Sequence, residues 1–275
     1  PKVAYQINNE KSESHYEMLK KLELSKNDSF QIKSFCDDND ITFLSTPYDL
    51  ESAKFLNEDL NVSLFKTASA DIVDIPLQDY IASTQKPCFI STGMSNISEI
   101  ETIYEIYKKS NNNQFAFLHC VSNYPADKNE INLNAIIILK KNFPKLKIGF
   151  SDHTIGPEAS LCAVVLGAKI IEKHFTYNKK LSGPDHMLSL DFKEMKWLVE
   201  SIRNYEIMAG NGKKIPTKSE KKNSYNNRKS IVATKFINKG ESFSFSNLGI
   251  KRPGSGIKPE YIYKILNKKS KTNIK

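Results

Sequence analysis

The chain contains no run of about 18 or more apolar residues, so no segment reads as a transmembrane helix. Its opening, PKVAYQINNEKSES, has neither a basic region nor an apolar stretch and does not read as a signal peptide. It also lacks a methionine, which leads us to expect a fragment or a processed chain. Cysteine is scarce: Cys36, Cys88, Cys120 and Cys162 stand 52, 32 and 42 residues apart, with no CxxC pair. The last three lie in apolar stretches, so all four are expected to be reduced core thiols of a cytoplasmic protein. No aromatic-interleaved basic motif accompanies the net charge of +9. That charge therefore reads as a lysine-rich solvated surface rather than a nucleic-acid face, with attraction of an anionic small substrate as a milder use. A motif pairing a nucleophile with a base is missing as well.

What is present alternates regularly. Apolar runs occur at 41–46 (ITFLST), 63–69 (SLFKTAS), 88–92 (CFIST), 115–122 (FAFLHCVS), 147–152 (KIGFSD) and 169–175 (KIIEKHF). They are too continuous for half-exposed strands, as expected of a parallel sheet covered on both faces. Amphipathic helical patterns follow each of them, among them DLESAKFLNED, ISEIETIYEIYKKS and DFKEMKWLVESIRNYEIMAG. Six strand–helix units fit an α/β protein. Polar residues end nearly every strand, namely Thr46, Ser69, Ser91, Thr92, Ser122, Ser151 and His153, Glu172 and His174. Chemistry spread over all strand ends favours a (β/α)8 TIM barrel over an open sheet with one switch point, and leaves two units wanting. We place the barrel at 1–210, a polar linker rich in lysine and asparagine at 211–227, and a small β-rich domain at 228–275. So small a domain has little core of its own.

Two of the five histidines, His153 and His174, close adjacent strands, where neutral imidazoles can hold one divalent ion. A histidine pair is a weak signal, and a structural histidine beside an incidental one is the plain alternative. Asp152 and Glu172 flank the pair, and SGPDH (182–186) adds Asp185 and His186 in the next loop. Lys66 stands inside a strand, where an unpaired ammonium is costly, so an inward-pointing role toward a phosphate or carboxylate is expected. Ser69, Ser91, Ser122, Tyr124 and Ser151 offer further donors. Arg252, before the Pro-Gly turn of KRPGSGI, reads either as a surface arginine or as a projecting grip for a carboxylate, phosphate or amide.

The motifs FLSTPYD, FKTAS, STGMSNISEIE, LHCVSNYPA, GFSDHTIG, IEKHFT, SGPDHMLSL and KRPGSGI occur in the order found in sialic acid synthases, which the chain resembles from about residue 3 to its end. The stretches PKVAYQ, LKKLELS and FLSTPYDLESAKFL look most like the legionaminic acid branch. The resemblance implies a (β/α)8 barrel followed by an antifreeze-like (SAF, β-clip) domain, in a domain-swapped homodimer. It implies condensation of phosphoenolpyruvate with an N-acyl hexosamine to a nine-carbon ulosonic acid and phosphate. The sugar would be N-acetylmannosamine or a 2,4-diacetamido-trideoxyhexose. By the same resemblance His153 and His174 would hold a divalent metal, usually Mn2+, with Mg2+ or Co2+ as substitutes. Lys66, Ser69, Ser91, Ser122, Tyr124 and Ser151 would bind phosphoenolpyruvate. Glu172 and Asp185 would face metal and sugar as catalytic residues, and Arg252 of a partner subunit would reach the N-acyl group.

The chain departs from that pattern at its start, where the EIGxNHxG-like strand and a second strand ending near KFQ are absent. The expectation is therefore a barrel short of its first two strands, with exposed sheet edges and reduced or absent activity. The alternatives are another TIM-barrel aldolase or phosphoenolpyruvate-condensing synthase, or a non-catalytic sugar-binding protein. An aldolase would use Lys66 as a Schiff-base nucleophile, and borohydride trapping tells the two apart.

Overall fold

The structure, a computed structural model, describes residues 14–275. The stretch PKVAYQ, used above for the legionaminic branch, lies outside the described residues. Five of the six apolar runs form one sheet: β1 (Phe65–Thr67), β2 (Cys88–Ser91), β3 (Phe115–Cys120), β4 (Lys147–Asp152) and β5 (Ile171–Lys173). Their spatial order equals their chain order and every pairing is parallel. A sequential parallel order is that of a barrel wall; a doubly wound sheet would reverse at a switch point. The result is a TIM-barrel-like half-barrel.

The sixth run corrects an expectation. Residues 41–46 belong to no strand, and the Ile41 N–H bonds back to the Cys36 carbonyl instead. A strand is defined by a paired ladder rather than by its own residues, and this segment has no ladder partner among the described residues. Its Phe43 nonetheless packs against the core.

The helices are α1 (His15–Leu22), α2 (Lys26–Asp38), α3 (Leu50–Lys54), α4 (Ile75–Ser83), α5 (Ile97–Lys109), α6 (Ala135–Asn142), α7 (Glu158–Val165) and α8 (Phe192–Ala209). α5 illustrates how local sequence sets them. Asn96 accepts from the Glu99 N–H while the Glu99 carboxylate accepts from the Asn96 N–H, a capping box. Lys108 and Lys109 sit in the last turn, where the helix dipole favours positive charge. Ile100, Ile103 and Tyr107, three and four residues apart, form the buried stripe. Above it lies an aromatic cluster, with Phe117 at 5.6 Å from Phe115 and 5.1 Å from Phe143 between ring centroids.

One glycine is required by space. A Cβ on Gly149 of β4 would lie 2.7 Å from the Ile170 carbonyl oxygen and 3.0 Å from Leu118, so β4, β3 and the approach to β5 come too close for any side chain there.

All four cysteines are free, as expected, but their burial differs from the expectation. Cys88 and Cys120 are buried, Cys36 is half-buried and Cys162 is exposed. α7 turns Ser160 and Ala163 inward, which leaves Cys162 off the buried face despite its apolar neighbours. Burial pushes the Cys88 thiol up to about 12, so it is an inert packing group.

The described residues divide between Ala209 and Gly210 into two compact units. The polar run expected as a linker carries a helix, α9 (Lys218–Asn227). Thr217 and Glu220 form a reciprocal capping box at its start, a local signal that composition alone hides. Beyond it β6 (Ser230–Ala233) and β7 (Leu248–Lys251) pair antiparallel over a small core of Ile237, Leu248 and Ile262. A short helix, α10 (Ile262–Ile265), closes this unit. No helix among the described residues is long and apolar enough to cross a membrane.

Phe117 is fully buried at the centre of the larger unit's aromatic cluster. Phe117→Ala should cost about 3–5 kcal/mol in denaturant unfolding of that unit, through lost burial plus the cavity left behind.

Candidate active site

The C-terminal ends of the strands surround a cavity of about 470 Å³. Strand alternation decides what enters it. Ser151 pairs in register with Glu172, and both line the cavity. His153 and His174 follow at the next same-face positions, just past the ends of β4 and β5.

Lys66 of β1 is only 4% exposed, yet it is not unpaired. Its Nζ donates to Ser91 Oγ at 2.8 Å and to the Thr67 carbonyl at 2.8 Å, and stands 3.4 Å from Glu172 Oε2. Two further donors meet beside it at Gly93, whose N–H donates to Ser69 Oγ at 3.0 Å. A Cβ at Gly93 would fall 2.3 Å from Ser122 Oγ and 2.8 Å from Ser69 Oγ, so the STG motif needs glycine to let both hydroxyls approach. Thr92 belongs to the scaffold: its hydroxyl is spent on the Leu118 carbonyl.

The two imidazoles stand 5.4 Å apart between centroids, nearly perpendicular, with the Tyr124 ring 4.0 Å from His153 and 5.7 Å from His174. His153 Nδ1 is 2.8 Å from the Val121 carbonyl, which can only accept, so Nδ1 carries the proton and Nε2 keeps its lone pair. Burial lowers the pKa of His153, opposed by the Val121 bond. Burial also lowers that of His174, opposed by Asp185, whose Oδ2 is 3.8 Å from Nδ1. Both rings are thus neutral at neutral pH, the form that ligates a metal. Among the described residues no three ligating side chains already stand in a metal-holding cluster. Glu172 Oε2 and Asp185 Oδ1, however, are buried oxygens with no hydrogen-bond partner. Two neutral imidazoles beside two carboxylates, of which Glu172 also pairs with Lys66, are a donor set that fits a divalent cation.

Sequence reasoning grouped Asp152 with this site, but its carboxylate is taken up by Thr154, Ser160 and Lys173. His186 bonds Thr176 and so holds its own loop. Arg252 lies in the smaller unit, exposed, on a loop pinned by Ser230, whose Oγ donates to the Pro253 carbonyl and accepts from the Gly256 N–H.

Two functional candidates were missed. Desolvation and then the carboxylates of Asp71, Glu172 and Asp185 raise the pKa of Tyr48, which lines the cavity. Asp71 has a buried Oδ2 without a partner and a carboxyl raised to about 6, first by burial, then by Asp74, against the pull of Lys66. The available signal was its place two residues after Ser69, at the end of the same run.

Lysine, hydroxyls and imidazoles gathered on the C-terminal rim of sequential parallel strands define an α/β-barrel enzyme built to bind an anion. The comparisons agree on which one: the NeuB family model matches residues 1–214 and the SAF domain model residues 228–275, and the chain belongs to the NeuB family. It is 43% identical to the N,N'-diacetyllegionaminic acid synthase of Campylobacter jejuni over 277 residues, covering all of this chain and 82% of the relative. Identity to the synthase of the same name from Legionella pneumophila is 40% over 278 residues, covering 99% of this chain and 78% of that one. The crystal structure of N-acetylneuraminic acid (sialic acid) synthetase from Leptospira borgpetersenii superposes with a TM-score of 0.72 at 35% identity, over 78% of this chain and 75% of that one.

Asp71 supplies a pH test. Its folded-state pKa of about 6 exceeds the ordinary 3.8, so between those values the folded chain keeps a proton that the unfolded chain releases. Stability attributable to this group is present below pH 3.8 and is lost as pH rises to about 6. Asp71→Asn should therefore raise the melting temperature at pH 7.5, by about 2–4 °C after allowing for partial solvent screening, and leave it unchanged near pH 4.

Proposed function

We propose that this chain condenses phosphoenolpyruvate with the open-chain form of a 2,4-diacetamido-trideoxyhexose, giving a nine-carbon ulosonic acid and phosphate. One observation carries the reading: a buried lysine with a hydroxyl partner and an ion pair to Glu172 stands on the same rim as two neutral imidazoles and the unbonded Asp185 Oδ1. A dianionic substrate and a polarised aldehyde need those two halves side by side. The diacetamido sugar is preferred to N-acetylmannosamine because the two relatives at 43% and 40% identity are diacetyllegionaminic acid synthases.

In this reading Lys66, Ser69, Ser91, Ser122 and Ser151 hold the phosphate and carboxylate, and Tyr124 packs beside them against His153. C3 of phosphoenolpyruvate bonds to the aldehyde carbon, and the sugar carbonyl oxygen takes up the electron pair. Water adds at C2, and phosphate leaves by cleavage of its C–O bond. His153 and His174 would hold a divalent cation, manganese by family resemblance, which would supply Lewis-acid polarisation of the aldehyde. Glu172, whose Oε2 lies 3.4 Å from the Lys66 ammonium, accepts the proton of the attacking water. Asp185 and Asp71 bind sugar hydroxyls. Arg252 grips the N-acyl oxygen, acting from a second copy in a domain-swapped dimer. Most of the acceleration comes from holding the enol carbon and the aldehyde together.

Phosphate release should require phosphoenolpyruvate, Mn2+ and the diacetamido sugar together, with N-acetylmannosamine a poorer substrate. His153→Ala and His174→Ala should each lower kcat by at least about 10³-fold. Turnover retained in either variant contradicts the metal assignment. Lys66→Ala should raise KM for phosphoenolpyruvate, and borohydride should trap no adduct.

A further inference from the structure

The β4–β5 ladder ends at Asp152 opposite Lys173, and each histidine comes one residue later, past the last rung. Backbone pairing therefore does not fix the spacing of the two imidazoles. What stands at that rung is a buried ion pair. Lys173 Nζ lies 3.1 Å from Asp152 Oδ2, with side chains 2% and 0% exposed.

The pair is fully engaged. Asp152 Oδ1 accepts from the Thr154 N–H at 2.8 Å and from Thr154 Oγ1 at 2.7 Å, closing a turn with His153 at its centre. Oδ2 accepts from Ser160 Oγ at 2.6 Å, which ties the turn to α7. Lys173 also donates to the Thr154 carbonyl, so its ammonium grips both sides of His153 while its backbone leads directly into His174. The His153 carbonyl accepts from the Ala126 N–H at 2.9 Å, and the His174 carbonyl from the Leu190 N–H at 2.9 Å. Each histidine is thus anchored to its own loop. Among the described residues, the ion pair is the side-chain link that joins one histidine's turn to the other's strand.

Burying two charges costs several kcal/mol in desolvation, and a well-packed apolar pair is often as stable. Stability alone therefore does not account for charges at this rung. We infer that Asp152 and Lys173 are positioning residues: their ion pair fixes the separation and orientation of His153 and His174 and so sets the affinity of the site for a divalent cation. This rests on the metal-binding reading of the two histidines. The polar atoms of the pair are spent on each other, on Thr154 and on Ser160, so it acts through its neighbours, as groups behind metal ligands do when their loss costs about 10- to 100-fold in affinity.

The test is Mn2+ titration of the 275-residue chain, followed by electron paramagnetic resonance of the free ion, alongside melting temperature and phosphoenolpyruvate affinity. The double variant Asp152→Asn/Lys173→Met removes both charges and keeps an acceptor for Thr154. It is expected to melt within a few degrees of the parent and to bind phosphoenolpyruvate unchanged. Its Mn2+ affinity should fall about 10- to 100-fold. A folded double variant with parental Mn2+ affinity overturns the inference and leaves the metal reading standing. Should the double variant fail to fold, Ser160→Ala decides: a fall of about threefold or more supports the brace, and parental affinity overturns it. A parent that binds Mn2+ no better than His153→Ala/His174→Ala overturns the metal reading, and the brace with it.

Discussion

The arrangement depends on keeping one ammonium ionised inside a protein wall. Lys66 is 4% exposed, and a lone charge there would cost more than a chain of this size can spare. Ser91, the Thr67 carbonyl and Glu172 make the position tolerable. Ser91 comes from the neighbouring β2 and Glu172 from β5 at the far end of the sheet order, so satisfying Lys66 ties the two ends of the half-barrel together. Glu172 in turn shares its rung with Ser151, one residue short of the histidine-bearing turns. The lysine side and the histidine side of the cavity are therefore joined through one carboxylate.

That joint explains the electrostatic texture of the site. Asp71, Glu172 and Asp185 all act on Tyr48, while Lys66 is the ammonium pulling on Asp71. Carboxylates in that excess would repel a phosphorylated substrate unless a cation offsets them, which is a physical reason for the two neutral imidazoles nearby. Asp71 relieves part of the repulsion by holding its proton up to about pH 6.

Much of this was legible in the sequence because parallel strands and amphipathic helices write their own periodicity. Five apolar runs became strands; the histidines and serines were noticed where those runs stop, and Lys66 because it stands inside one. The errors have one cause in common. The run at 41–46 has the residues of a strand but no ladder partner among the described residues, and Cys162 has the neighbours of a core residue but the wrong helical phase. Asp152 sits beside His153 in the chain, but its carboxylate is spent on Thr154, Ser160 and Lys173. In each case the outcome depends on a neighbour distant in sequence, which local composition does not encode. Asp71 went unnoticed for the converse reason: an aspartate after a serine reads as an ordinary turn until the burial of its oxygen is known.

Gly149 gives the half-barrel a mechanical property. With no side chain there, β4 lies against the Ile170 carbonyl on its way into β5, and backbone meets backbone at mid-strand. The two strands behave as the arms of a lever pivoted at that contact, with the histidines at the tips. A methyl group at the pivot would wedge the arms apart, and the displacement would grow toward the rim. A position with no chemistry of its own thus bears on where the two strand ends stand.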